Sequence, residues 1–259
     1  MPRTVLITGA SSGIGYELAL LFARDGFDCV LTARRADRLE ALAEQLRREH
    51  KVRVTVIPAD LADPDSPDRI FSALQAAGTQ IDVLVNNAGF PSYGHFVELD
   101  TRIQLEELQV NVIALTHLTR LFLPGMTARH DGRILNLAST AAFEPGPLMA
   151  VYYASKAYVL SFSEALDEEL SGTGVSVTTL CPGITRTGFQ ARGAMEHSRL
   201  VQGRMADAAS VAFAGYRGVM GRKRLVIPGM ANKLVPLVVR LAPRALVTRM
   251  VRKAQERVR

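Results

Sequence analysis

Tyr152 and Lys156 stand four residues apart, and Ser139 precedes Tyr152 by thirteen. If residues Ala150 to Leu170 are helical, the four-residue spacing stacks the phenol and the ammonium on one helix face. A phenol has a reference pKa near ~10 and exchanges protons poorly at neutral pH. A nearby ammonium favours the phenolate, which equips the tyrosine as a general acid or base. Tyr153 lacks this partner, because the residue four on from it is Ala157. A Tyr-x-x-x-Lys pair also occurs on ordinary solvated helix faces, so the surrounding elements must decide.

Those elements alternate short β-branched runs with helical stretches, the pattern of a parallel sheet covered by helices on both faces. Strands are expected at Thr4–Thr8, Asp28–Ala33, Val52–Ile57, Ile81–Val85, Arg133–Ala138, Val175–Leu180 and Arg224–Ile227. Helices are expected up to Arg24, over Asp37–His50, up to Ala77, and over Arg102–Leu123, Ala150–Leu170 and Asp207–Met220. The fold class is α/β: one doubly wound Rossmann domain with a parallel sheet of about seven strands.

The first strand breaks into Gly9-Ala10-Ser11-Ser12-Gly13-Ile14-Gly15. Glycines there permit a tight turn and close backbone approach to a ligand, and the following helix points its free N–H groups at an anion such as a pyrophosphate. An ordinary Gly/Ser turn is the plainer alternative. The second strand ends in Ala33-Arg34-Arg35, where an acid would hold a ribose 2′-hydroxyl. A guanidinium instead pairs with a 2′-phosphate, which points to NADP(H) over NAD(H). The fourth strand runs into Asn86-Asn87-Ala88-Gly89, whose amides can tie strand ends together. Asn111 falls inside an expected helix, where asparagine competes for backbone hydrogen bonds; a kink or a bound water would explain it, and so would a solvent-facing position. Ser139 closes the fifth strand at its C-terminal end, outside which ligands bind in open parallel sheets. Residues 184–204 read as a substrate lid.

The chain is 48% hydrophobic, which suits one substantial core, and no apolar run reaches the length of a bilayer span. With no charged-then-apolar leader and two cysteines in apolar runs, a reduced cytoplasmic protein is expected, with peripheral contact at the inner membrane face as a further option. The net charge of +6 is a C-terminal property: residues 1–216 balance at −5 and residues 217–259 at +11. With no Trp and no basic–aromatic interleaving, nucleic acid is not an expected partner.

Thr8-Gly9-x-x-x-Gly13-x-Gly15, Asn86-Asn87-Ala88-Gly89, Asn111, Ser139, Tyr152-x-x-x-Lys156 and Pro182-Gly183-x-x-x-Thr187, in this order and spacing, resemble the short-chain dehydrogenase/reductase family from Thr4 to about Gly229. The resemblance implies that Tyr152 exchanges a proton with a carbonyl or alcohol oxygen, and that Ser139 stabilises that oxygen. It implies that Lys156 tunes Tyr152 and holds the nicotinamide ribose, while Asn111 keeps a water linking Lys156 to solvent. It also implies a cofactor site built from Gly9, Ser11, Ser12, Gly13, Ile14, Gly15, Arg34, Arg35, Asp60, Leu61, Asn87, Ala88, Gly89, Tyr152, Lys156, Pro182, Gly183 and Thr187. Within it Asp60 meets the adenine amino group and Thr187 the nicotinamide carboxamide. The hydride belongs to the nicotinamide, so no metal is required. Many NADP-preferring members carry a basic residue where this chain has Ser12, which leaves Arg34, helped by Arg35, to read the phosphate.

The expected activity interconverts a ketone or aldehyde and an alcohol; a non-catalytic NADP(H) sensor on the same fold is the alternative. The expected pocket walls are Phe90–Phe96, Ala141–Met149 and the lid from Ile184 to Arg204; their Phe90, Tyr93, Phe96, Phe143, Leu148, Met149, Phe189 and Met195 favour an apolar, lipid-like substrate, with Arg186 and Arg192 as loop cations. Residues 1–229 form the expected catalytic domain. Residues 230–259 form a basic extension, its segment Leu234–Leu241 broken by Pro236. From Pro243 on, Leu246, Val247, Met250, Val251, Ala254 and Val258 recur at helical spacing among arginines. Such a helix lies on an anionic membrane or packs on protein. Family members usually form homodimers or homotetramers, and the same is expected here.

Overall fold

In the computed structural model, which describes residues 2–188, 193, 198, 202–203 and 205–256, the β-branched run Thr4–Thr8 forms strand β1 at the centre of a sheet. It pairs in parallel with β2 (Asp28–Thr32) on one side and β4 (Val83–Asn86) on the other. Outside β2 lies β3 (Val54–Val56); beyond β4 follow β5 (Gly132–Leu137), β6 (Val175–Leu180) and β9 (Leu225–Val226), all parallel. The order is β3-β2-β1-β4-β5-β6-β9. Two short strands, β7 (Thr185–Arg186) and β8 (Ala206–Asp207), pair separately.

Strands buried on both faces need apolar side chains throughout, and β1, β2 and β4 supply them. On one face α1 (Gly13–Arg24), α2 (Ala36–His50) and α7 (Ala208–Met220) bury Leu18, Phe22, Leu39, Leu46, Val211 and Tyr216. On the other, α3 (Ser66–Ala76) and α5 (Leu115–Ala128) bury Ile70, Leu74, Leu118 and Phe122. The strand order reverses between β1 and β4, and ligand-binding crevices form at such a switch point.

Strand bounds shift by a residue or two: Ala33, Val52, Ile57, Ile81, Ala138, Arg224 and Ile227 fall outside the ladders, whereas Asn86 and Gly132 fall inside. The expected helix over Arg102–Leu123 is three pieces: α4 (Thr101–Leu108), a π-helical turn (Gln109–Ala114) and α5, which runs on past Pro124 to Ala128. Asn111 sits in the π turn and is 1% exposed, so it is not a surface residue. A wider turn of this kind is common beside functional sites.

Pro236 does not break its segment. Met230–Leu241 is a helix, α8, with no buried residue, and Arg244–Gln255 is a second, α9. Val247 and Val251 of α9 are buried with Tyr93, Met149, Tyr152 and Tyr153. The C-terminal helix therefore packs on its own chain. Of the expected lid, residues 185–186 are strand β7, whereas Phe189, Arg192, Met195 and Arg204 lie outside the described residues, as do Arg257, Val258 and Arg259 of the tail.

Candidate active site

α6 (Ala150–Glu169) carries the tyrosine and lysine. The spacing holds: Lys156 Nζ lies 5.8 Å from the Tyr152 ring centroid. Both side chains are buried, Tyr152 at 8% and Lys156 at 4% exposure. The electrostatics differ from the expectation, because desolvation outweighs charge attraction. Burial pushes the Tyr152 phenol up from its ordinary value, and the hydrogen bond with Ser139 pulls it back only in part. Burial also pulls the Lys156 ammonium down to about 8. The ammonium itself donates to Leu137 O at 2.8 Å, at the end of β5. That bond orients Lys156 towards the C-terminal end of β5.

Ser139 follows β5. Its Oγ accepts from Ala141 N at 3.1 Å, which caps the 3₁₀ turn Thr140–Phe143, and the hydroxyl faces Pro182 O at 3.4 Å. Asn111 spends its amide on structure: Nδ2 donates to Phe90 O and Ser155 Oγ, and Oδ1 accepts from Phe90 N. Gly89 separates Asn111 from Lys156; a Cβ there would come 2.9 Å from Asn111 Oδ1 and 3.4 Å from Lys156 Nζ.

The asparagine pair ties strand ends together as its amides suggest. Asn86 Nδ2 donates to Asn136 Oδ1 of β5 and to Thr119 Oγ1, while Asn87 Nδ2 donates to Thr8 O of β1. The glycines answer to the same packing. A Cβ on Gly9 would come 2.8 Å from Asn87 Nδ2, and one on Gly13 would meet Thr187 Cγ2 at 3.0 Å. Gly9 and Gly13 also have positive φ, so a side chain there is strained in any case.

A cavity of about 1180 Å³ joins these parts. It runs from the ends of β1 and β2, at Gly9, Ser11, Ser12, Gly13, Ile14, Arg34, Arg35, Asp60 and Leu61, past Asn87, Ala88 and Gly89 to Ser139, Tyr152, Lys156, Pro182, Gly183 and Thr187. Every expected site residue except Gly15 and Asn111 lines it. Gly15 instead lets α1 press against Asn87 and Gly9 O, and Asn111 stands behind Phe90 and Ser155. The α1 N-terminus opens on this cavity, and its cap residue Ser12 makes no side-chain capping bond. Free N–H groups at a helix start, beside a glycine turn, fit a pyrophosphate. Arg35 donates to both Ser11 Oγ and Ser12 Oγ at 3.0 Å, and Arg34 lies 3.8 Å from Asp60.

The wall beyond Tyr152 differs from the expected one. Ala141, Glu144, Met149, Tyr153, Met205, Met230 and Ala231 line it, whereas Phe90 is in the core and Phe96 is 68% exposed. Tyr93 packs with Tyr152 and Tyr153, Leu148 packs against the same cluster, and Phe143 packs against Leu115, Val159 and Leu160. Ala141, Glu144 and Met149 fall in the expected segment Ala141–Met149, whereas sequence reasoning missed Arg38, Tyr153 and the start of α8. It also missed Glu107, a buried acid one turn before Asn111 that the four-residue spacing places on the Asn111 face.

The short chain dehydrogenase family model matches residues 3–197. The chain belongs to the short-chain dehydrogenase/reductase family. It is 41% identical over 194 residues to a sulfoacetaldehyde reductase of Chromohalobacter salexigens, covering 73% of this chain and 75% of that one. It is 37% identical over 182 residues to a very-long-chain 3-oxoacyl-CoA reductase of Bos taurus, covering 68% of this chain. The match spans 57% of that relative's length. Among solved structures, a Sphingobium yanoikuyae short-chain dehydrogenase in complex with NADPH superposes with a TM-score of 0.83 at 34% identity, covering 98% of each chain. The family is one of oxidoreductases that use nicotinamide dinucleotides. Among the described residues, no helix is long and apolar enough to cross a membrane.

Proposed function

We propose that the protein is an NADP(H)-dependent carbonyl reductase or alcohol dehydrogenase acting on an apolar, lipid-like substrate. The observation that carries this reading is the Ser139–Tyr152–Lys156 cluster lining the cavity on which the α1 N-terminus opens. The complete set of these residues with Asn111 favours catalysis over a non-catalytic sensor.

Gly13, Ile14 and the α1 N-terminus would hold the pyrophosphate, Arg34 and Arg35 the 2′-phosphate, Asp60 and Leu61 the adenine, and Thr187 and Lys156 the nicotinamide riboside. When bound, the dinucleotide supplies or accepts the hydride at the carbonyl carbon. In reduction Tyr152 donates its phenolic proton to the substrate oxygen as the C=O bond becomes C–OH, and Ser139 donates a hydrogen bond to the same oxygen. Lys156 returns a proton to Tyr152, and in oxidation the transfers reverse. Asn111 fixes the Phe90 backbone and Ser155 beside Lys156. Both Nδ2 protons are used there, which leaves the second lone pair of Oδ1 as the side-chain acceptor for a water serving Lys156.

Apolar walls at Ala141, Met149, Met205 and Met230 support the substrate class. Met230 and Ala231 also begin α8, which exposes Leu234, Leu237, Val238 and Leu241 beside Lys233 and Arg240. An apolar face with a basic border suits the headgroup layer of an anionic membrane, and it adjoins the cavity wall. We assign a cytoplasmic location with peripheral membrane contact through α8. Exposed Leu105, Ile113 and Tyr158 on α4 to α6 support a homodimer or homotetramer. NADPH oxidation against ketones of rising chain length and ring content tests the activity. Turnover that falls as chain length and ring content rise would contradict the apolar substrate.

A further inference from the structure

The Ser139–Tyr152–Lys156 cluster does not account for Glu107. It lies in α4 and is completely buried, at 0% exposure. A carboxyl in such a place is costly unless its charge is compensated. Its Oε2 accepts from Ser92 Oγ at 2.5 Å, and its Oε1 has no hydrogen-bond partner among the described residues. The loop before α4 presents that hydroxyl and the backbone N–H of Ser92. α6 presents the titratable groups: Lys156, which attracts the carboxylate, and Tyr152, whose proton it helps retain. On the same side, the amide of Asn111 is taken up by Phe90 and Ser155 and offers Glu107 nothing.

We propose that Glu107 is a positioning residue for the proton chemistry of α6: its carboxylate holds Lys156 in the ammonium form and so sets the pH range over which Tyr152 exchanges its proton. This rests on the assignment of Tyr152 and Lys156 above. Burial lifts Glu107 to about 7 and lowers Lys156 to about 8, so the two groups change charge over neighbouring ranges, each sustaining the charge of the other. With Glu107 neutral, Lys156 loses the one carboxylate among the described residues that acts on it and gives up its proton more easily.

The pH dependence of kcat for ketone reduction tests this. Glu107→Gln should move the alkaline limb to lower pH by about one unit, and Glu107→Asp should return part of the shift. Ser92→Ala should move it the same way by less, because it removes a donor to the carboxylate; this variant stands in if Glu107→Gln does not fold. In the infrared, wild type should show a carboxylic C=O band that titrates away near neutral pH and is missing in Glu107→Gln. An alkaline limb unmoved in Glu107→Gln, or in Ser92→Ala where it stands in, would overturn the role. Tyr152→Phe measured in parallel separates the two readings. Activity there sinks the Tyr152 assignment; an inactive Tyr152→Phe beside an unmoved Glu107→Gln profile sinks only the role of Glu107.

Discussion

Arg35 reaches back from the end of β2 to donate a hydrogen bond to Ser12 Oγ in the turn after β1. A cation thus stands where many NADP-preferring relatives carry one on the turn itself, although this chain has a serine there. Ala33→Asp combined with Arg34→Ser and Arg35→Ser should therefore shift preference from NADPH towards NADH. A charged hydrogen bond is worth about 1.5–3 kcal/mol, so the ratio of kcat/KM values should fall by roughly ten- to a hundredfold. Replacing Arg34 alone should give a smaller change, because Arg35 remains.

Tyr152→Phe keeps the ring, and with it the packing against Tyr153 at 6.0 Å between centroids. Turnover should drop by about 10²–10⁴-fold while NADPH affinity, read by fluorescence titration, stays near wild type. Lys156→Ala should lose both, since one ammonium serves proton and ribose. A Tyr152→Phe enzyme with normal rates would assign the acid elsewhere.

Glu107 also makes a prediction about stability. Its folded pKa is raised, to about 7 from 4.5, so the folded state holds the proton more tightly than the unfolded chain does. The stabilisation is fully present below 4.5 and is lost as pH rises to about 7. Glu107→Gln has no such proton to lose. Urea unfolding of both proteins at a series of pH values should show the difference moving in favour of Glu107→Gln across that window, by up to ~3 kcal/mol. A difference that stays flat with pH would mean an unshifted carboxyl.

Deleting everything after Gly229 is a poor probe of membrane binding, because Val247 and Val251 of α9 are buried with Tyr152 and Tyr153. That deletion should cost activity whatever α8 does. Leu234→Ser with Leu237→Ser changes only exposed positions of α8. The double variant should keep its melting temperature and its rate on short soluble ketones, yet co-sediment less with anionic vesicles at low salt. Equal pelleting of both proteins, or none, would leave α8 without a lipid role.

The sheet was legible because its strands are short β-branched runs buried on both faces, and such runs have few other ways to fold. The cluster of Tyr152, Lys156 and Ser139 was legible because helix spacing and a strand end are local facts. What stayed hidden depends on contacts distant in sequence. Nothing local tells that Phe96 points outward, or that Met230 of α8 lines the same cavity as Tyr152. The direction of the Tyr152 shift was missed for a similar reason: spacing reveals a neighbouring charge, whereas desolvation requires the whole fold. Glu107 was within reach, since it precedes Asn111 by one turn, but an acid in a helix reads as exposed until the burial is seen.

The pairing of Thr185 with Ala206 and of Arg186 with Asp207 brings two chain ends together beside the cavity. Asp207 then accepts from Ser210 N and so starts α7, which fixes the return of the chain into the fold. The two strands form a clasp across which a cassette of sequence can be exchanged. Lengthening such a cassette costs little, about 0.6 kcal/mol for each doubling. Substrate range can then drift by exchange of this segment, with the sheet, the dinucleotide crevice and α6 left as they are. Transplanting the sequence between Gly188 and Met205 from a relative of different specificity, with Thr187 kept, is the economical way to redirect this enzyme.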